Sequence, residues 1–185
     1  MQRDLVERAR GGDHDAFAEL AAAAITRLTP VAWLILRDPD QAQDAVQNAL
    51  VRVWRDLPTL RDPDRFDAWT RRLLVRSCID EARRVRKHRL NLRIDAIAPP
   101  TVPDGSAAII DRDQLARAFE RLEPESRALI VLHHYLDLPL PDVATTVGIP
   151  LGTAKSRLHR GLREMHAAID ADARVRTDLT EGRPA

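Results

Sequence analysis

Six polar side chains near the carboxyl terminus have the types that bind nucleic acid. They are Thr153, Lys155, Ser156, Arg157, His159 and Arg160. Hydroxyl, ammonium, guanidinium and imidazole groups donate hydrogen bonds to phosphates and to the base edges exposed in the major groove of DNA. The stretch therefore predicts a DNA-contacting helix, and an ordinary helical hairpin with a basic surface is the alternative at this point.

A second group of cations lies in the middle of the chain. Residues 71–93 hold nine basic and two acidic side chains, a local net charge of +7 in a chain whose total is +1. Residues 94–126 hold three basic and seven acidic side chains, a net charge of −4. Two basic segments on either side of an acidic one favour a polyanionic partner, whereas a solvated helix face is the alternative for either segment alone.

The elements that must position these side chains are helices. Apolar residues recur at helical spacing along most of the chain, and an aromatic content of 4% leaves little material for a sheet. Residues 39–57 give the clearest pattern, with an apolar stripe that includes Ala42, Val46 and Trp54. We therefore expect an all-α protein.

Prolines divide the amino-terminal half. Residues 13–36 predict one long helix or two, with a possible break at Thr29-Pro30. Asp38-Pro39 is a definite break, because proline disfavours helix for the residue before it. A third helical unit runs from Phe66 to about Arg89.

A proline-rich stretch separates two groups of helices. Residues 95–106 contain three prolines and a glycine without apolar periodicity, which is typical of an extended tether. We expect two small helical domains at residues 1–94 and 109–170, joined by a flexible linker at 95–108. Residues 171–185 are expected to form a disordered tail.

The second domain has the spacing of a helix-turn-helix. Residues 140–165 predict two helices around a turn at Gly148, with Ala144 where the helices cross closely. The domain is expected to begin with a helix at residues 111–122 that buries Leu115, followed by a second helix that starts at Glu123-Pro124. The second helix of the motif carries the six polar side chains described first.

Several function classes are disfavoured. A single cysteine, Cys78, excludes an internal disulfide framework, and the charged start lacks a signal region, so a cytoplasmic protein is expected. The apolar stretches at 31–36 and 128–132 are shorter than the ~20 residues of a membrane span, so no membrane insertion is expected. The histidines lack metal-ligand spacing, and Gly11-Gly12 lacks the Lys and Ser/Thr of a P-loop. We expect no catalytic site, no cofactor and no metal.

Two stretches resemble the extracytoplasmic-function (ECF) group of bacterial sigma-70 factors. The fourth, DNA-binding region of that family is similar to residues 122–160, with the run Gly148-Ile149-Pro150-Leu151-Gly152-Thr153-Ala154-Lys155-Ser156-Arg157. Residues 44–54 are similar to the polymerase-binding helix of the second region, and residues 66–84 to its promoter-opening helix. Two unrelated motifs in the family's order are more specific than either alone.

The resemblance implies an initiation factor that binds core RNA polymerase and promoter DNA. It implies that Asp44, Gln47 and Asn48 dock on the clamp helices of the largest polymerase subunit, and that the fourth region meets the flap of the second-largest subunit. The six carboxyl-terminal side chains would read the minus 35 element as duplex. The residues assigned to the minus 10 element are Leu60, Arg61, Asp64, Arg65, Phe66, Trp69, Arg72, Arg76, Arg83 and Arg84. An anti-sigma factor is a further partner that the resemblance allows.

Three alternatives stay open on the sequence. The chain could be a free-standing helix-turn-helix regulator that binds an operator as a dimer, or, less favoured, a nucleic-acid-processing enzyme. For Trp69, a position in the core is favoured over contact with DNA. The sequence departs from the family at Asn48, where an acid is usual, and at Pro150, where serine is common.

Overall fold

The computed structural model describes residues 2–92 and 107–181, and over these residues it is helical without a strand. Its α-helices are α1 (Gln2–Arg10), α2 (His14–Leu36), α3 (Pro39–Asp56), α4 (Phe66–Leu92), α5 (Ala107–Glu120), α6 (Pro124–Ile130), α7 (Leu140–Val147) and α8 (Leu151–Glu181). Short 3-10 turns occupy Leu57–Thr59 and Pro63–Arg65, and a π turn occupies Val131–Tyr135. The expected all-α class is confirmed.

Helix α2 starts at a side-chain cap and runs on through a proline. The Asp13 carboxylate accepts hydrogen bonds from the backbone N–H groups of Asp15 and Ala16, both at 3.0 Å. The Ala16 N–H and the guanidinium of Arg8 lower the pKa of Asp13, because both stabilise the charged carboxylate. Pro30 lies inside α2, so the possible break there does not occur.

By length and composition, α2 could cross a membrane. It has 23 residues, and an 18-residue window reaches a mean hydropathy of 1.4. One face of the helix is nevertheless buried inside the protein, including Leu20, Leu28 and Ile35, and this face packs against α1, α3 and α4. A helix in the core of a protein can have the same length and apolar composition as a membrane span, and α2 is such a core helix.

The turn between α2 and α3 confirms the expected break at Asp38-Pro39. Arg37 ends α2 in the left-handed region, with φ of 58°. Asp38 then caps α3, since its carboxylate accepts from the backbone N–H of Gln41 at 2.9 Å. Pro39 fits the first turn of α3, where no helical N–H partner is needed.

Helix α4 is the long central element of the amino-terminal group. Leu74, Val75 and Cys78 on this helix are fully buried, and they pack in one core with α2 and α3. A second, smaller core joins Val6, Leu57 and other residues of α1 and the 3-10 turns. The basic side chains of α4 therefore project from a rigid, well-buried helix.

The carboxyl-terminal group differs from two expectations. Leu115 on α5 is 50% exposed, although helical spacing predicts that it is buried. Helix α8 continues to Glu181, so residues 171–181 are helical where a disordered tail is expected. Asp172 explains part of this extension, because it pairs with Arg117 and Arg121 of α5 at 3.5 and 3.1 Å.

The two groups of helices pack against each other. One core cluster extends from Ile35, Val75 and Ile79 in the first group to Leu129 and Val143 in the second. The contacts are made by α2 and α4 on one side and by α6 and α7 on the other. Most of the linker predicted at residues 95–108 lies outside the described residues, and its last two residues begin α5.

Candidate nucleic-acid and polymerase interfaces

The predicted helix-turn-helix is formed by α7, a tight turn and the start of α8. Gly148 ends α7 with φ of 79°, a left-handed conformation that glycine adopts without strain. Its N–H and that of Ile149 both donate to the Ala144 carbonyl, at 2.9 and 3.0 Å. Ala154 on α8 is fully buried, so the small side chains at 144 and 154 let the two helices approach closely.

The six predicted side chains lie together on the first three turns of α8. Lys155, Ser156, His159 and Arg160 are exposed, whereas Thr153 and Arg157 are half-buried. Across the helix from them, Ala154 and Leu158 are buried. The turn therefore presents one polar, cationic helix face, which is the arrangement that enters a major groove.

Among the described residues, Arg83 and Arg84 on the basic face of α4 have carboxylate partners, whereas Arg72 and Arg76 do not. The Arg84 guanidinium donates two hydrogen bonds to the buried Glu81 carboxylate, at 2.6 and 3.0 Å, and this contact raises the pKa of Arg84. Arg83 pairs with Glu125 at 3.3 Å. Arg76 is exposed, and Arg72 is half-buried with its Nε atom lacking a hydrogen-bond partner. All four predicted arginines thus lie on one helix in unequal environments.

The loop before α4 corrects two predicted DNA contacts. Leu60 is 7% exposed and Phe66 is 1% exposed, and both belong to the smaller core. Their side chains cannot contact a nucleic acid in this structure, so they support the loop instead. Sequence position alone could not separate them from their exposed neighbours, which are Arg61, Asp64 and Arg65.

Trp69 lies on the core side of the same region. It is half-buried, packs against the smaller core and lies with its ring centroid 6.3 Å from that of Phe66. The placement favours the core alternative for this tryptophan.

A separate polar face lies on α3. Asp44, Gln47 and Asn48 are all exposed, and Asp44 has only a loose ion pair with Arg84, at 3.6 Å. Val51 is 60% exposed one turn further along the same face. The predicted set omits Val51, although its spacing of seven residues from Asp44 could have identified it.

Trp54 is a second exposed apolar residue on α3 that the predicted stripe places in the core. It is 39% exposed. Its ring lies against Phe17, with centroids 4.6 Å apart, and against His14 at 5.0 Å. Aromatic packing on α2 therefore holds this side chain at the surface, next to the polar face of α3.

Family comparisons match both helical groups. The sequence model "Sigma-70 region 2" matches residues 20–88, and "Sigma-70, region 4" matches residues 112–165. The ECF RNA polymerase sigma factor SigL of Mycobacterium tuberculosis is 33% identical over 135 residues, covering 71% of this chain and 76% of the relative. The RNA polymerase sigma-E factor of Streptomyces coelicolor is 30% identical over 146 residues, or 76% of this chain and 80% of the relative.

This chain belongs to the ECF group of the sigma-70 family. It is a sigma factor that directs promoter-specific transcription. Helices α3 and α4 lie within the match to region 2, and the helix-turn-helix lies within the match to region 4. The residues between the two matches include the undescribed stretch at 93–106.

Solved structures share the fold of this sigma factor. CnrH in complex with the cytosolic domain of CnrY superposes with a TM-score of 0.63 and 26% identity, covering 92% of this chain and 98% of that one. The sigma factor RpoE of Bartonella quintana, in complex with the anti-sigma factor NepR, gives a TM-score of 0.61 at 22% identity, covering 84% and 98%. The latter likeness concerns the fold alone.

The described part of this sigma factor contains no group of three or more His, Cys, Asp or Glu side chains that could hold a metal ion. The free thiol of Cys78 is buried, and burial raises its pKa to about 12. A thiol with that pKa is protonated at neutral pH, whereas thiol chemistry requires the thiolate. Cys78 is therefore a packed apolar side chain of region 2.

Proposed function

We propose that α8 of this sigma factor lies in the major groove of the minus 35 element. The proposal assigns base and phosphate contacts to Thr153, Lys155, Ser156, Arg157, His159 and Arg160. The observation that carries it is the single exposed cationic face that starts directly after the Gly148 turn. Lys and Arg side chains on such a face can donate to guanine O6 and N7 or to phosphates.

The minus 10 element is assigned to region 2. Arg72, Arg76, Arg83 and Arg84 form a cationic track along α4, and Arg61, Asp64 and Arg65 lie exposed in the loop before it. A charged track beside a loop suits a melted strand, because the phosphates follow the cations while an unstacked base enters the loop. Trp69 is half-buried near this region and is assigned to the core.

The polymerase contact is assigned to the exposed face of α3. Asp44, Gln47 and Asn48 would dock on the clamp helices of the largest subunit, and the neighbouring exposed Val51 would add apolar area to that contact. Region 4 would meet the flap of the second-largest subunit.

The remaining assignments follow from this role. The sigma factor itself performs no catalysis, which belongs to the polymerase, and it works in the cytoplasm on chromosomal promoters. No cofactor is needed for these contacts. An anti-sigma factor is proposed as a further partner, because the family resemblance allows one; the solved sigma factor RpoE is bound to the anti-sigma factor NepR.

Run-off transcription tests the proposal as a whole. Purified sigma factor, core RNA polymerase and a set of promoter templates should give specific transcripts only when all three components are present. Tight, sequence-specific operator binding by the isolated chain, with no transcripts after core polymerase is added, would instead support a free-standing regulator.

The polymerase contact has its own test. Asp44→Ala combined with Gln47→Ala should weaken assembly with core polymerase by tenfold or more, while the melting temperature stays within about 2 °C because both side chains are exposed. Glu19→Ala on the exposed side of α2 is the matched control. Unchanged assembly of the double variant would remove α3 from the interface.

A further inference from the structure

Helix α1 lies outside both family matches, since the match to region 2 begins at residue 20, yet it contacts the proposed minus 10 site. Residues 60–65, the minus 10 loop, precede α4 and carry the exposed side chains of Arg61, Asp64 and Arg65. Helix α1 packs against the 3-10 turn before this loop and against the 3-10 turn inside it. The amino-terminal helix is therefore placed to influence how the loop presents its side chains.

An apolar core joins α1 to both ends of the minus 10 loop. Val6 on α1 is fully buried, and it belongs to the same small core as Leu57, Leu60 and Phe66. Leu57 precedes the loop, Leu60 begins it and Phe66 follows it. Burial of these side chains fixes the backbone at both ends of the loop. The exposed polar side chains between those ends need polar partners to fix their direction.

Arg3 on α1 is such a partner for Asp64. Its Nη1 donates to the Asp64 carboxylate at 2.7 Å, and its Nε donates to Glu7, one turn later on α1, at 3.2 Å. A guanidinium is planar and rigid, so these two hydrogen bonds together fix its orientation. The Asp64 carboxylate is therefore held by a donor that is itself held by a packed helix.

Asp64 differs from the other acid of the loop. The Asp62 carboxylate accepts from the backbone N–H of Asp64 at 3.1 Å and pairs with Arg65 at 3.5 Å, so it is used within the loop. Arg3 bonds only Oδ2 of Asp64, and among the described residues Oδ1 accepts no hydrogen bond. The Asp64 side chain is 62% exposed. One acceptor oxygen of fixed direction is thus available to a donor outside the protein.

A second contact anchors the start of α4. Gln2 on α1 donates to Oδ1 of Asp67 at 2.7 Å, and Arg27 on α2 donates to Oδ2 of the same carboxylate at 2.5 Å. Both oxygens of Asp67 therefore have internal partners. Asp67 fixes the junction between the loop and α4, whereas Asp64 keeps an oxygen free.

The chemistry of a free carboxylate oxygen restricts the base that it can bind. An ionised carboxylate only accepts hydrogen bonds, so it favours a base that donates from an exocyclic amino group. Cytosine N4 is such a donor, whereas thymine presents the acceptor O4 at the same place. The two pyrimidines have nearly the same size, so a comparison of cytosine with thymine isolates this chemistry.

We propose that Arg3 is a positioning residue of the minus 10 site. It orients Asp64 so that the free oxygen accepts from the exocyclic amino group of an unstacked base and disfavours thymine. Arg3 acts through Asp64 and does not itself bind the strand. The inference rests on the proposed function, because the base belongs to the minus 10 element.

The experiment uses holoenzyme made from core polymerase and the full chain. The variants are Arg3→Ala, Asp64→Ala and the double variant, and Arg10→Ala is the matched control. Arg10 is an exposed arginine of the same helix and has no carboxylate partner among the described residues. Each holoenzyme binds a library of pre-melted promoter templates that is randomised across the minus 10 element. Sequencing of the recovered templates gives the cytosine-to-thymine ratio at every position.

Wild type and Arg10→Ala should both favour cytosine over thymine at one position of the element. Asp64→Ala should bring that ratio close to one. Arg3→Ala should lower it about threefold, because a released aspartate distributes over three staggered χ1 rotamers. The double variant should match Asp64→Ala, since an interaction that acts through one residue adds nothing once that residue is removed.

Three results would overturn the proposal. The first is a ratio that Arg3→Ala leaves unchanged. The second is an equal loss of recovery for all templates, which would mean that Arg3 binds phosphate directly. The third is a fall in melting temperature of more than about 2 °C for Arg3→Ala, because an exposed ion pair contributes little stability and a larger fall would assign Arg3 to the fold.

Run-off transcription with the same holoenzymes separates this inference from the proposed function. Specific transcripts from the wild type, without a cytosine preference that depends on Asp64, would reject only the inference. A wild type that gives no specific transcripts with core polymerase would reject the function and the inference with it.

Discussion

The two basic helices of this sigma factor differ in how their cations are held. On α4, Arg83, Arg84 and Arg86 each lie within 3.6 Å of a carboxylate oxygen. On α8, Lys155 and Arg160 form no ion pair within the described part of the chain. A paired cation must give up an internal partner before it binds DNA, whereas a free one only releases counterions and water. The helix proposed to read the minus 35 element therefore presents free cations, whereas several cations of the helix proposed to open the promoter have internal partners.

Local sequence explains part of this difference. On α4, Glu81 precedes Arg84 by three residues, a spacing that places the two side chains together on a helix. The first acidic residue of α8 is Glu164, more than three turns after the helix starts. The carboxylates that pair with Arg83 and Arg86 come from region 4, and Asp44 of α3 also pairs with Arg84, so no pattern within the α4 sequence reveals these partners.

The largest loss of DNA affinity is expected when cations of α8 are removed. Lys155→Ala/Arg157→Ala should lower affinity for minus 35 duplex by about 1 to 3 kcal/mol per lost base contact, roughly 5- to 150-fold, and less for a phosphate contact. Electrophoretic mobility shift with the polymerase holoenzyme measures the loss. Arg163→Ala, an exposed cation further along α8, is the control and should change affinity far less. Equal losses would mean that α8 binds DNA only through net charge.

The second prediction separates the two helices by mechanism. Arg76→Ala/Arg83→Ala should reduce transcription about tenfold on closed duplex, because these side chains lie on the track toward the melted strand. A template with an artificial bubble at minus 10 should partly rescue this pair and leave the Lys155/Arg157 pair impaired. Run-off yields from closed and pre-melted templates sharing one minus 35 sequence provide the measurement. Rescue of both pairs, or of neither, would show that the roles are wrongly assigned.

A third prediction concerns salt. Each free cation that reaches duplex phosphate should contribute a slope of about −0.9 to a plot of log affinity against log salt, and about −0.7 on a single strand. Each paired cation of α4 should contribute a shallower slope than −0.7, because salt also weakens the internal ion pairs that compete with DNA. Titrations of the isolated chain with a minus 35 duplex and a minus 10 strand test this. A full single-strand slope from α4 would mean that its internal pairs do not compete.

The smallest effect on DNA affinity and transcription is expected from a substitution on the buried face of α4. Cys78→Ala should leave DNA affinity and transcription unchanged within about twofold, because the thiol is buried. Since burial raises the thiol pKa to about 12, a disulfide reagent at pH 8 should not label the native chain within minutes. Labelling in denaturant is the control. Rapid labelling of the native chain would show that α4 opens locally.

The fold was largely predictable because helical periodicity and helix boundaries are local signals. Asp38-Pro39 and Gly148 mark a helix start and a helix end through their own backbone preferences, and both are confirmed. Local sequence did not predict whether residues 13–36 form one continuous helix or two. Packing of its buried face keeps it helical through Pro30, and such tertiary contacts override propensity.

The candidate interfaces were less predictable than the fold. Exposure follows helical phase for Asp44, Gln47 and Lys155, so the sequence locates them well. It fails for Leu60 and Phe66, because the burial of a loop depends on which other helices cover it. Contacts between distant parts of the chain, such as that of Glu125 with Arg83, leave no periodic signal and require the structure.

The stacking of Arg37 on Trp33 makes the contact between regions 2 and 4 optically visible. Trp33 is 42% exposed, and the guanidinium above its ring is held from the other side by Glu120. If region 4 separated from region 2, that guanidinium would lose its anchor, and the indole would meet more water and a more mobile cation. In a chain where Trp54 and Trp69 are replaced by phenylalanine, the emission of Trp33 would report domain opening in real time, without any attached dye.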